Sequence, residues 1–224
     1  MNRRVFVVVA SFVLIAVFGA AVFFTLQSQQ PQQTAASPEK PLVGAQAVES
    51  QPSLIRFHSP TFGPDDATVT IVEFFDPSCE ACRAFYPIVK QILAEYPDEV
   101  RLVLRYTLFH QGSEEVSRLL EAARIQNVYE PVLEAVLEAQ PAWHDDPQVI
   151  GAWEAAEAAG LDVAKAREDM QSERISSVLQ TDTQDVKAIG IRGTPTFFVN
   201  GLQLTEFGAE PLLRLVKTEL EKAK

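Results

Sequence analysis

The 224-residue sequence predicts an α/β domain ordered strand–helix–strand, helical insert, strand–strand–helix, preceded by one N-terminal transmembrane helix. Three observations carry that reading. An uncharged apolar run, Val5 to Leu26, lies near the start of the chain. A strand-like run, Ala67 to Phe75, leads directly into Cys79-Glu80-Ala81-Cys82. From Ser113 to Gly190 the apolar pattern turns helical, and the strand pattern returns only at Thr196.

Val5 to Leu26 is long enough to cross a hydrocarbon core of about 30 Å as a helix. Arg3 and Arg4 precede it, which puts the N-terminus in the cytoplasm and the rest of the chain outside. A cleaved signal peptide competes with this reading, because a charged start and an apolar core fit both. The run exceeds the usual apolar core of a signal peptide, and Phe23-Phe24-Thr25-Leu26 offers no small-residue cleavage signature. Cleavage near Ala35-Ala36-Ser37 stays open, and an uncleaved anchor is the expectation. Residues 1–26 are therefore read as cytoplasmic stub and anchor, and residues 27–53, rich in Gln, Pro, Ala and Ser, as a flexible linker. Residues 54–224 remain for one domain with a substantial core.

That domain opens with apolar Leu54–Phe57 and a turn-rich passage, Ser59 to Asp66. Ala67–Phe75, rich in Val, Ile and Phe, reads as a buried strand. Cys79–Tyr96 follows as a helix with Phe85, Ile88, Val89, Ile92 and Leu93 on its apolar side, and Pro87 inside it should kink it. Val100–Leu108 supplies the next strand. In the helical insert, about 113–190, Val116, Leu119, Leu120 and Ala123 form one core stripe, and Tyr129, Val132, Leu133, Val136 and Leu137 another. Asp146-Pro147 suits an N-cap followed by proline at the first helical position, while Gly160 and Gly190 suit helix ends. Trp143 and Trp153 read as packing residues. Thr196–Val199, an Asn200-Gly201 turn and Leu202–Leu204 read as a hairpin, closed by a helix from about Ala209.

Charge and cysteine usage narrow the chemistry. A net charge of −11, from 30 acids against 19 bases, argues against nucleic acid or anionic membrane surfaces as partners. Cys79 and Cys82 are the only cysteines. A strand running into Cys-x-x-Cys at the head of a helix gives the first thiol the helix's positive end, which favours the attacking thiolate. As a structural staple the pair would close too short a ring to constrain the unfolded chain much. Zinc requires about four ligands, and only His58, His110 and His144 lie elsewhere, scattered, so no metal is expected, and a dithiol that carries the electrons itself implies no organic cofactor. Thiol redox chemistry is the reading that remains.

Over about Ser59 to Leu220 the chain resembles the thioredoxin superfamily, specifically the DsbA-like thiol:disulfide oxidoreductases with a helical domain inserted in the thioredoxin fold. Glu73 lies six residues before Cys79, where the superfamily has a buried acid, and Pro87 eight after it, where the active-site helix is kinked. Arg192-Gly193-Thr194-Pro195 looks like the family's loop with a cis-proline facing the dithiol. The resemblance implies that Cys79 forms the mixed disulfide with a protein client and Cys82 resolves it. It implies that Glu73 carries a proton to or from Cys82, and that Thr194 and Pro195 form an edge for client backbone. Glu80 and Ala81 between the cysteines tune the couple. Glu80 disfavours the Cys79 thiolate and Arg83 offsets it in part, which places the potential between about −120 and −270 mV.

These implications converge on a catalyst in the bacterial inner membrane, single-pass, with its active domain in the periplasm. It would exchange disulfides with exported proteins and be recycled by a membrane redox partner. Disulfide donation is the leading direction, with reduction or isomerisation as the alternative. A non-catalytic periplasmic chaperone and a protein that keeps a metal-site cysteine pair reduced are the other readings. Residues 27–53 lack the periodic apolar pattern of a dimerisation segment, so a monomer is expected.

Overall fold

The computed structural model describes residues 53–223. The expected membrane span and nearly all of the expected linker lie outside these residues. Among the described residues no helix is long and apolar enough to cross a membrane.

A five-stranded sheet in the order β1-β3-β2-β4-β5 forms the centre. Its strands are β1 (Thr61–Phe62), β2 (Val69–Phe75), β3 (Val100–Tyr106), β4 (Thr196–Val199) and β5 (Leu202–Gln203). Helix α1 (Glu80–Glu95) connects β2 to β3, which run parallel, and α7 (Ala209–Lys222) closes the chain. Between β3 and β4 lie α2 (Ser113–Ile125), α3 (Tyr129–Ala139), a 3₁₀ turn (Gln140–Ala142), α4 (Ile150–Ala158), α5 (Val163–Asp169) and α6 (Glu173–Ile189). The expected order of elements is therefore present, with the helical insert where the periodicity placed it.

Every residue of β2 is buried, as a central strand covered on both faces requires. Side chains alternate across the sheet, and this sorts the chemistry. Ile71, Phe75, Leu102, Leu104 and Phe197 share a core with Cys82, Phe85 and the insert, and Glu73, between Ile71 and Phe75, faces the same way. On the opposite face Val72, Phe74, Val103 and Phe198 pack with Val186 of α6. Arg105, two residues beyond Val103, is fully buried there. Its guanidinium donates to Asp182 and Asp185 of α6 and to the carbonyls of Ser53 and Leu54. Arg56 and His58 bind the same two carboxylates, so the segment entering the domain is clamped to α6 by charge.

Several local expectations shift. The passage read as turn-rich contains a short first strand, antiparallel to β3. The active-site helix begins at Glu80 because Cys79 keeps an extended backbone as its N-cap, and the helix continues through Pro87. Asp146 does not cap a helix starting at Pro147. Its carboxylate accepts from the backbone of Gln148 and Ile150, and α4 starts only after Val149, which is buried with φ of 45°. At Asn200 and Gly201, φ of 47° and 84° make the primed turn that matches strand twist. Asn200 Oδ1 also accepts from Thr70 N, fastening the hairpin to β2. Trp143 is fully buried with its indole donating to the Val136 carbonyl, and Trp153 donates to Glu115.

Candidate active site

Cys79 and Cys82 are both free thiols, the first 6% exposed and the second fully buried. Cys79 lies at the N-terminus of α1, with Sγ 3.2 Å from the carbonyl oxygen of Thr194. The Thr194–Pro195 peptide is cis, and the loop that carries it delivers the chain into β4. The sulfur is thus held between a helix start and the edge of the loop that leads into the neighbouring strand β4.

Hydrogen bonding by the Cys82 thiol is the main force holding the Cys79 pKa down, to about 5. Burial opposes it, and bonds from Thr194 and from the backbone of Cys82 and Ala81 reinforce it. Cys82 moves the opposite way, pushed well above the ordinary thiol range by burial, by its bond to Cys79 and by the charge of Glu73. One nucleophilic thiolate and one reserve thiol result, which is the division of labour that exchange through a mixed disulfide requires.

Glu73 is 1% exposed, and burial first, then the Cys79 charge, pushes its pKa to about 8. Its Oε1 has no partner among the described residues. A carboxyl neutral at pH 7 behind two thiols can give up a proton and take one back. Glu80, which the sequence set against the thiolate, is turned outward: its side chain is 69% exposed and its Oε1 is 3.7 Å from His144 Nε2. Arg83, expected to offset it, donates to Gln140 instead.

Two buried residues that sequence reasoning passed over hold this arrangement. Asp76, fully buried just after β2, accepts from Ser78 N and Ser113 Oγ through Oδ1, and from Phe109 N, His110 N and His110 Nδ1 through Oδ2. Its own N–H points at Cys82 Sγ, 3.4 Å away. Gln140, fully buried in the insert, donates from Nε2 to the carbonyls of Pro77 and Cys79. The only sequence cue to Asp76 is an acid placed between strand and cysteine pair; Gln140 has none, because its partners lie about sixty residues away. Among the described residues no group of three or more His, Cys, Asp or Glu is arranged to hold a metal.

Comparison with known proteins adds three findings. A family model described as thioredoxin matches residues 57–218. Among solved structures, a thioredoxin-like oxidoreductase from Silicibacter pomeroyi DSS-3 is 27% identical with a TM-score of 0.66, covering 76% of this chain and 96% of that one. Oxidised BdbD from Bacillus subtilis, 24% identical with the same coverage, superposes with a TM-score of 0.66, and alpha-DsbA1 from Wolbachia pipientis, 15% identical, with 0.67 over 75% of this chain and 94% of that one. Among curated proteins, a Na(+)/H(+) antiporter NhaA from Herminiimonas arsenicoxydans is 30% identical over 88% of this chain, which spans only 30% of the antiporter's length.

Proposed function

Because the chain belongs to the thioredoxin family and has the architecture of its DsbA-like thiol:disulfide oxidoreductases, we propose that it exchanges disulfides with exported proteins in the periplasm, acting mainly as a disulfide donor. The observation that carries this reading is the unequal pair: a Cys79 thiol with pKa near 5 at a helix start beside the Thr194–Pro195 loop, and a buried Cys82 behind it. A stabilised thiolate favours the reduced enzyme, and a couple whose reduced form is stabilised is the stronger oxidant.

In the donating direction a client thiolate attacks Cys79 Sγ of the enzyme disulfide, and Cys82 leaves. Glu73, neutral beside it, supplies the proton that the high pKa of Cys82 demands. The client's second thiol then displaces Cys79, which departs readily as a low-pKa leaving group. Thr194 and Pro195 present the edge on which client backbone lies next to the sulfur. Catalytic roles thus fall to Cys79, Cys82 and Glu73, and Ala81 contributes through its backbone. The N-terminal segment would hold the domain at the inner membrane as an uncleaved anchor, and a membrane redox partner would reoxidise the pair.

Cys82→Ser tests the reading. Expressed as the full chain, this variant should accumulate covalent adducts between Cys79 and exported proteins that dissolve on adding dithiothreitol. Client binding with no covalent adduct would point to a holding chaperone and defeat the proposal.

A further inference from the structure

His110 shares a groove with Thr194, and of its two ring nitrogens one is engaged by a carboxylate. Its Nδ1 is 2.8 Å from Oδ2 of the fully buried Asp76, and its backbone N–H is bonded to the same oxygen. The side chain is 47% exposed, and Nε2 has no partner among the described residues. Phe109, His110, Ile191, Arg192, Gly193 and Thr194 line one groove of about 680 Å³, and Thr194 is the residue whose carbonyl meets Cys79 Sγ. Thr194 thus joins the groove that His110 lines to the sulfur that a client cysteine would reach.

The pairing has a chemical consequence. A carboxylate fixed against Nδ1 accepts the hydrogen bond of Nδ1–H and so keeps the neutral ring's proton there, leaving Nε2 as the lone-pair acceptor. Asp76 is itself fastened by Ser78, Ser113 and two backbone N–H groups, so it orients the ring without swinging with it. The same residue aims its backbone N–H at Cys82 Sγ. One buried aspartate thus ties the resolving sulfur, the active-site turn and the histidine into a single unit.

We propose that His110, oriented by Asp76, is the general base that removes the proton from the incoming client thiol. The inference rests on the exchange reading above and adds a catalytic residue to it. The client S–H gives its proton to Nε2 as its sulfur electron pair forms the bond to Cys79 Sγ. The Cys79–Cys82 bond breaks, its electron pair leaves on Cys82, and Cys82 takes the proton of Glu73. The second client thiol, again through Nε2, displaces Cys79 and closes the client disulfide. The client loses two electrons and two protons; one proton ends on Cys82 by way of Glu73, which recharges from water, and the other enters solvent.

The base matters only to a thiol that is not already ionised, and this sets the test. At pH 7 a cysteine of ordinary pKa, about 8.5, is roughly 3% thiolate, so supplying the rest gains at most about 30-fold. An acidic aryl thiol is already ionised and gains nothing. Oxidised full-length chain, wild type or His110→Ala, is mixed with a cysteine peptide or with the aryl thiol, quenched in acid and assayed for mixed disulfide by mass. The variant should slow about tenfold toward the peptide and stay within twofold toward the aryl thiol. His110→Asn, which keeps an amide donor toward Asp76 but has no basic nitrogen, should be as slow toward the peptide, and this guards against loss of the loop. Equal slowing toward both thiols, no slowing toward the peptide, or full activity in His110→Asn would each overturn the assignment while leaving Cys79 exchange standing. A wild-type chain inert to both thiols would overturn the exchange reading as well.

Discussion

Glu73→Gln tests the interior of the site through stability. A carboxyl whose pKa is near 8 when folded and about 4.5 when unfolded binds its proton more tightly in the native state. Its destabilising effect is absent below pH 4.5, grows as the unfolded chain ionises alone, and levels off above pH 8. Between pH 5 and 7 that costs the protein about 2.5 kcal/mol. The Cys79 thiol acts with opposite sign. Its pKa is held down to about 5, so its contribution rises with pH above 5, by at most about 2 kcal/mol over the same interval and by less once solvent screens the sulfur at the mouth of the site. The two nearly cancel in the reduced wild type. Glutamine, of the same shape and without a titrating proton, removes one side of the balance, and its constant burial cost drops out of a comparison between two pH values. Urea unfolding of the reduced full-length chain at pH 5 and pH 7 reads the effect. The variant should gain about 2.5 kcal/mol on the wild type between the two. A difference that stays within about 0.5 kcal/mol would mean that Glu73 is not a neutral, buried acid, and the proton role assigned to it would fail.

Other expectations concern single groups. Iodoacetamide should modify reduced Cys79 with a half-maximal rate near pH 5 and leave native Cys82 untouched across the neutral range, as mass mapping would show. Gln140→Ala strands the Pro77 carbonyl and takes one of two donors from the Cys79 carbonyl, which keeps Arg83 N–H, and urea unfolding should register a loss of about 1–3 kcal/mol. Arg105→Leu removes the fully buried cation that Asp182 and Asp185 share, leaving Asp182 to His58 and Tyr106 N–H and Asp185 to Arg56, and the same assay should lose about 3 kcal/mol.

Local signals in the sequence placed the cysteine pair at a helix start after a strand, and long-range contacts stayed hidden. Cys79 and Cys82 announce themselves because a strand, a turn and a helix start are written in consecutive residues. Glu73 was reached through the resemblance, which implies an acid behind the pair, and the strand places it on the face shared with Ile71 and Phe75. The Asn200-Gly201 turn was legible because left-handed backbone demands those residue types. Asp76 was harder: nothing in the chain near it says that the loop of Phe109 and His110 returns to its carboxylate. Gln140 reads as an ordinary helix-end residue until the insert is folded back over the cysteines. The charge of Glu80 was visible, but its direction was not, because a helix start fixes the position of Cα and leaves a long side chain free to turn toward His144. Asp146 misled for a related reason: its carboxylate does serve backbone N–H groups, but those of Gln148 in the preceding turn and of Ile150, where the helix starts three residues later than Pro147.

The reduction potential of the full-length chain, equilibrated against glutathione buffers at pH 7 and read by thiol alkylation, tests the central claim most directly. A Cys79 pKa near 5 falls between about 7 for thioredoxin, at about −270 mV, and about 3.5 for DsbA, at about −120 mV. With about 30 mV for each unit of thiolate stabilisation, ionisation at pH 7 places this couple between about −220 and −165 mV, suited to donating disulfides. A value at or below about −270 mV would show that the thiolate is not stabilised as the geometry requires, and would make the chain a reductant.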